Sequence, residues 1–314
     1  MYIDFIKELE SANRITIFSH INVDGDGVGS ALALFAFIKS LNKQVGVFID
    51  SVLPGHVQKI RGIENINKDC VLNGDLAIVV DCNDKDRIGR KKFTLKKFKK
   101  IINIDHHQDN TNFGHINIVK PGYSSTCELV YDILSESKLE ISCDVATYLI
   151  VGILTDTGNL SYDSTSSSTF RKVATLLDIS NRNINYFTNM LFASNSLEIF
   201  KLKKLAYSKV EFLYNNKLAI TALSFTDLKS CGVGIEDTKS IIEITYNLKP
   251  VEIVVVITEA EPNVCFVSFR SKCEIDVSEF ATHFGGGGHI KASGCRIYDK
   301  LENVINSIKE VVKL

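Results

Sequence analysis

The segment RITIFSHINVDGDGVGSALALFAFIKSL, residues 14–41, decides the fold class. Its first six residues, Arg14–Ser19, form a β-rich apolar run that predicts a strand. From Gly27 to Leu41 the apolar residues recur at helical spacing. The same alternation continues outward. Short strands are predicted at Val45–Ile49, Leu76–Val80 (LAIVV) and Lys100–Ile104 (KIINI). Ser125-Thr-Cys-Glu128 reads as a capping box opening a helix. Asp144 reads as the N-cap of a helix running to about Leu154. Strands alternating with helices imply an α/β domain: a parallel sheet with helices on both faces.

The chain has 314 residues, beyond the size at which one core stops growing, so two domains are expected. The pattern from Asn185 to Tyr207 is helical and more charged, and it reads as a connector. Strands follow at Val210–Tyr214, Lys217–Ser224, Val251–Thr258 and Val264–Arg270, then the run Gly285–Gly288 and a closing amphipathic helix. The boundaries are placed at 1–185 for the first domain, 186–209 for a helical linker and 210–314 for a smaller α/β domain.

Hydrophobic residues are 45% and charged residues 23%, ordinary for a soluble enzyme. Lys plus Arg number 36 against 37 Asp plus Glu, which disfavours long duplex DNA as a partner. The segment 1–14 lacks a signal-peptide core, and no run approaches the ~18 apolar residues of a membrane span. Eight scattered Cys without a CxxC pair suit a reducing compartment, so a cytoplasmic location is expected. The cluster Lys91–Lys100 reads as solvated surface.

Chemistry-bearing residues fall where these strands end. RITIFS runs into His20, LAIVV into Asp81, and KIINI into Asp105, His106 and His107. Ligands of open α/β sheets bind at the carboxyl ends of strands, so three strands deliver metal-type ligands to one edge. His20-Ile-Asn-Val-Asp24-Gly-Asp26-Gly adds two carboxylates, with Gly25, Gly27 and Gly29 read as permitting a tight turn. Asp156 in Thr155-Asp-Thr-Gly158 follows an apolar helix. By itself Asp26 reads as a polar residue favoured by a helix N-terminus, and Asp156 as a turn residue. Two His plus four carboxylates suit Mn²⁺, with Mg²⁺, Co²⁺ or Zn²⁺ as alternatives, and the absence of thiolates argues against structural zinc. Six ligands fit two ions about 3.5–4 Å apart sharing one carboxylate. Such a pair clamps a phosphoryl oxygen and generates hydroxide, so hydrolysis of a phosphate ester or anhydride is the expected reaction. Asp105 is read as fixing the tautomer of a neighbouring His.

HINVDGD (20–26), VVDC (79–82), DHH (105–107) and TDTG (155–158) together resemble, in order, the four catalytic motifs of the DHH phosphoesterase superfamily. Gly285-Gly-Gly-Gly-His-Ile-Lys-Ala-Ser-Gly294, with Phe269-Arg-Ser-Lys272 upstream, resembles its nucleotide-binding associated domain. At this length the chain is similar to the NrnA-type group, which implies oligoribonuclease activity on RNA of two to five nucleotides and removal of the 3′-phosphate from 3′-phosphoadenosine 5′-phosphate. The resemblance implies that His20, Asp24 and Asp81 hold one ion. Asp26, Asp81, His106 and Asp156 would hold the second, with Asp81 bridging. His107 would face the scissile phosphate, with Asp105 beside it. Arg270, Ser271, His289 and the backbone of Gly286, Gly287 and Gly288 would take a terminal substrate phosphate. Val23 and Ile290 stand where many members of the superfamily carry Pro, and neither position supplies a ligand.

The motifs are shared with phosphodiesterases of cyclic di-AMP or pApA, so those substrates stay as alternatives. A pyrophosphatase is disfavoured by the GGGGH segment, and a RecJ-like DNA exonuclease by the short length. A non-catalytic nucleotide sensor would lack a ligand, and none is missing. A homodimer is one assembly compatible with this sequence.

Overall fold

The computed structural model describes residues 2–313 except His56, Asp69, Lys138 and 193–195. The chain divides into two compact units, Met1–Ser194 and Asn195–Leu314.

The first unit holds strands β1 (Arg14–Phe18), β2 (Gln44–Phe48), β3 (Gly74–Val80), β4 (Phe98–Asp105) and β5 (Ile116–Val119). Its helices are α1 (Tyr2–Ser11), α2 (Gly25–Ser40), α3 (Thr126–Glu136), α4 (Cys143–Asp156), α5 (Ser167–Ser180) and α6 (Ile184–Leu191). The strands form one parallel sheet in the order β2-β1-β3-β4-β5. From β1 the chain passes to β2 on one side and then to β3 on the other, so the carboxyl ends of β1 and β3 flank the point where strand order reverses. Alternation sorts the strand residues between two cores. Ile15, Ile17, Ile78 and Val80 pack under the α-helices, while Phe18, Ala77 and Val79 face Ile88 and Leu95 of a 3₁₀ run, Lys85–Lys97. Both faces are therefore covered by helical segments, one of them 3₁₀. Lys91, Lys96, Lys97, Lys99 and Lys100 are exposed.

Three local expectations are corrected. Gly25, Gly27 and Gly29 lie within α2 rather than in a turn. A Cβ on Gly29 would stand 2.6 Å from the Tyr148 carbonyl oxygen, so its role is to let α2 approach α4. The N-cap of α4 is Ser142, whose side chain accepts from Val145 N–H; Asp144 sits in the first turn, where its charge suits the helix dipole. Ser125 does cap α3, but Glu128 reaches past it to Ser124.

The second unit contains α7 (Leu197–Ser208), β6 (Val210–Leu213), β7 (Leu218–Leu223), α8 (Phe225–Cys231), α9 (Ile242–Tyr246), β8 (Ile253–Glu261), β9 (Val264–Ser271), α10 (Val277–His283), β10 (Gly287–His289), β11 (Ala292–Ile297) and α11 (Leu301–Val311). Its mixed sheet runs β10-β11-β9-β8-β7-β6, with β7 and β8 parallel. One face packs on α10 and α11 through Val255, Val267 and Phe269. The other packs α7, α8 and α9 on β7 and β8 through Ala219, Val254 and Val256. The segment 186–209 is shared between the units. Phe187 of α6 is buried in the first core and Leu202 of α7 in the second, while 193–195 lie outside the described residues. Among the described residues no helix is long and apolar enough to cross a membrane.

Candidate metal centre

His20 follows β1, Asp81 follows β3, and Asp105 ends β4 with His106 and His107 behind it. Asp24 caps α2 and Asp26 lies in its first turn, while Asp156 is the last residue of α4. The structure gathers these residues into two adjoining sets. His20 Nε2 stands 3.4 Å from Asp81 Oδ2 and 3.9 Å from Asp24 Oδ1. His106 Nε2 stands 3.3 Å from Asp156 Oδ2, 3.8 Å from Asp81 Oδ1 and 4.0 Å from Asp26 Oδ2. Asp81 thus turns one carboxylate oxygen to each set. The candidate ligand atoms of His20, Asp24 and Asp81 lie within 4.8 Å of one another, as do those of Asp26, His106 and Asp156.

The histidines are held by their other ring nitrogen. His20 Nδ1 lies 2.8 Å from the Ile21 carbonyl and His106 Nδ1 3.2 Å from the Tyr123 carbonyl. With Nδ1 turned to a carbonyl, each ring points Nε2 at the carboxylates, and Nε2 is the nitrogen that a metal would take in place of a proton. Asp26, 1% exposed, accepts from Thr126 N–H at 2.6 Å and Cys127 N–H at 2.8 Å, and Thr126 Oγ1 donates to Asp81. The N-terminus of α3 therefore grips two of the carboxylates.

The electrostatics call for a cation. Burial, then Asp81, Asp156 and Asp24, hold the Asp26 carboxyl well above its ordinary range. Burial and the charge of Asp81 outweigh His106 and push Asp156 up to about 7. Burial opposes charge on His20, yet Asp24 and Asp81 push it up to about 10. A divalent ion relieves the crowding that protons otherwise neutralise, and a nitrogen and oxygen donor set suits Mn²⁺ or Mg²⁺-like ions. The residues fit the group.

His107 adjoins the second set: its Nδ1 stands 3.7 Å from Asp81 Oδ1 and its ring lies against that of His106, so Asp81, His106 and His107 make a third group of donor atoms within 4.8 Å of one another. The same Nδ1 donates to Asp105 Oδ1 at 2.7 Å, and that bond, against opposing burial, raises the ring to about 9. Asp105 is fully buried and held lower than usual; its burial is outweighed by His107 and by Asn110, which donates to Oδ2 at 2.6 Å.

Several of these groups escaped the sequence reading. Arg87 places Nη2 3.2 Å from His20 Nδ1 and donates Nη1 to Asn83. The Tyr123 carbonyl and the Thr126 and Cys127 amides act through the backbone, so no side-chain pattern announces them.

In the second unit, register places Arg270 of β9 and His289 of β10 on either side of Ala292. Paired positions share a sheet face, so the two side chains share one. Ser271 does not join them. It is 1% exposed on the opposite face, with its hydroxyl donating to the Cys273 carbonyl. Gly286 N–H is committed to the Ala281 carbonyl. A Cβ on Gly288 would stand 2.6 Å from the Ala292 carbonyl oxygen, so the glycine run lets β10 lie close on β11.

The family model described as DHH family, N-terminal domain, matches residues 14–153, and the DHHA1 domain model matches residues 217–314. The chain thus carries a DHH domain followed by a DHHA1 domain and is a hydrolase of the phosphoesterase class. It is 27% identical over 306 residues to the bifunctional oligoribonuclease and PAP phosphatase NrnA of Thermus thermophilus, covering 94% of this chain and 89% of that one. It is 27% identical over 315 residues to the probable enzyme of the same name from Streptococcus mutans, covering 98% of each. The crystal structure of an exopolyphosphatase-related protein from Bacteroides fragilis matches with TM-score 0.91 at 25% identity, covering 99% of this chain and 94% of that one.

Proposed function

We propose that the protein hydrolyses RNA of two to five nucleotides to 5′-mononucleotides, and 3′-phosphoadenosine 5′-phosphate to AMP, with two Mn²⁺ ions resident at the candidate centre. One observation carries the reading: Asp81 offers a separate oxygen to each of two histidine-carboxylate sets. His20, Asp24 and Asp81 would hold one ion; Asp26, His106, Asp156 and Asp81 the other. Bound there, the ions would supply Lewis-acid charge to a phosphoryl oxygen and lower the pKa of a water.

The protein's own groups do the rest. His20 and His106 would present Nε2 to the ions, their Nδ1 atoms facing the Ile21 and Tyr123 carbonyls. His107, whose bond to Asp105 favours the protonated ring, can give a proton to the leaving oxygen. Asp105 keeps that ring oriented. Arg270 and His289 would take a terminal phosphate, Arg270 through its planar fork. The names borne by the full-length relatives agree with this choice of substrates.

A second grip on a terminal phosphate makes activity depend on length. Purified protein with Mn²⁺ is expected to hydrolyse a dinucleotide at least about tenfold faster than a 24-mer, loss of one charge-assisted phosphate contact being worth roughly 1.5–3 kcal/mol. Equal rates on the two would refute the end-gripping role of Arg270 and His289.

A further inference from the structure

The sheet of the second unit is covered unevenly. On the face that carries Arg270, helices α7 to α9 cover β7 and β8, where Val254 and Val256 are buried. Toward β9, β11 and β10 the same face emerges into solvent: Phe266, Ser268 and Arg270 are half-buried, and His289 and Arg296 exposed. Strand register arranges this open part in rows. Arg270 and His289 flank Ala292 in one row; Ser268 pairs Gly294 in the next; Phe266 pairs Arg296 in the third.

The first and third rows are four residues apart on β9, about 13 Å at the rise of a strand. Between them the floor is low, because Ser268 and Gly294 project almost nothing. At the far row the Arg296 guanidinium lies over the Phe266 ring, 4.5 Å from its centroid. Arg296 donates Nη1 to the Tyr298 hydroxyl at 3.4 Å, and among the described residues no acidic side chain occupies any of the three rows on β9, β10 and β11. An anion held at Arg270 and His289 therefore has no carboxylate within these three rows. What continues from it meets a flat cation-aromatic stack.

We propose that Phe266 and Arg296 form a stacking shelf for a nucleobase of the oligonucleotide whose phosphate Arg270 and His289 hold. This rests on the substrate reading above and deepens it. The ligand chemistry is a heteroaromatic ring about one nucleotide from a phosphate. Stacking on an arginine plane or aromatic face tolerates every base, so the shelf selects nucleic acid without selecting sequence. The bland alternative is a surface cation-π pair with no ligand, of the kind that occurs roughly once per 70–80 residues.

The test uses the full chain with Mn²⁺ and the variants Arg296→Gln and Phe266→Leu, which keep polarity and most of the volume. Three substrates are compared: the dinucleotide ApA, the same compound with each base in turn replaced by hydrogen, and bis(p-nitrophenyl) phosphate. The expected result is a roughly tenfold rise in KM for ApA in each variant, within the range for a base-aromatic stack. Turnover of bis(p-nitrophenyl) phosphate stays unchanged. One abasic analogue raises KM for the wild type and hardly for the variants. Unchanged KM for ApA in both variants overturns the shelf alone. Wild-type hydrolysis of bis(p-nitrophenyl) phosphate without hydrolysis of ApA overturns the substrate reading and the shelf together.

Discussion

Asp81 carries two loads in one residue. Its carboxylate divides between the two ligand sets, and its backbone sits at φ +52°, in the left-handed region. Among the described residues twelve non-glycine positions have positive φ, and nine of them are Asn. Asp and Asn accept this conformation because their short side chains bond locally. Asp81→Asn therefore keeps the fold but removes a charge both ions need. The expected outcome is native circular dichroism with no measurable Mn²⁺-dependent turnover; retained turnover would end the bridging assignment. At this scale much of the centre is legible in the sequence, since His20, Asp81 and Asp105 to His107 each stand where an apolar strand stops. Arg87 is not legible. Nothing in its neighbours says that a 3₁₀ run will fold it back beside His20. Ser271 shows the opposite failure. Consecutive residues of a strand face opposite ways, so Arg270 and Ser271 could not both point at one ligand.

Between residues and fold stands the N-terminus of α3. Glu128, 3% exposed, accepts from Ser124 N–H at 3.0 Å and Ser124 Oγ at 2.6 Å. Lys172 of α5 reaches Glu128 at 3.0 Å and Asp132 at 2.8 Å, and Tyr123 donates its hydroxyl to Asp132. This network fixes the segment whose Tyr123 carbonyl orients His106 and whose amides hold Asp26. Glu128→Gln is expected to weaken Mn²⁺ binding about 10- to 100-fold, the usual effect of losing an outer support of a metal ligand. Calorimetric titration of the folded variant reads it, and unaltered affinity would reduce the network to simple stability. Among elements, β1, β3 and β4 are plain from their apolar runs. Strand β11, Ala292–Ile297, is hidden because its outward positions include Ala and Gly rather than alternating polar residues.

For the whole molecule the charge arrangement sets a pH dependence. Asp156 is raised from 3.8 to about 7, His20 from 6.5 to about 10, and His107 from 6.5 to about 9. Each group binds its proton more tightly folded than unfolded. Each therefore stabilises the metal-free fold below its unfolded pKa and loses that contribution as pH rises through its folded value. Asp105 and Glu128, held low, act oppositely and only in acid. The Tm of chelator-treated protein should fall from pH 5 to pH 9, by roughly 2–8 °C for about 1–3 kcal/mol. Saturating Mn²⁺ should flatten that fall. A metal-free Tm that rises over the same range would contradict the crowding of the carboxylates. The division at 194/195 falls inside the stretch 186–209 that the sequence marks as a connector; its exact place is not legible, because that stretch is helical on both sides. The reach of Lys172 has one more outcome. Since α5 clasps the loop that orients His106, any local opening that frees α5 also loosens the cation's grip, and a bound cation must resist that opening. Backbone amides of α5 are expected to exchange with deuterium more slowly once Mn²⁺ is added, although no α5 residue would touch an ion.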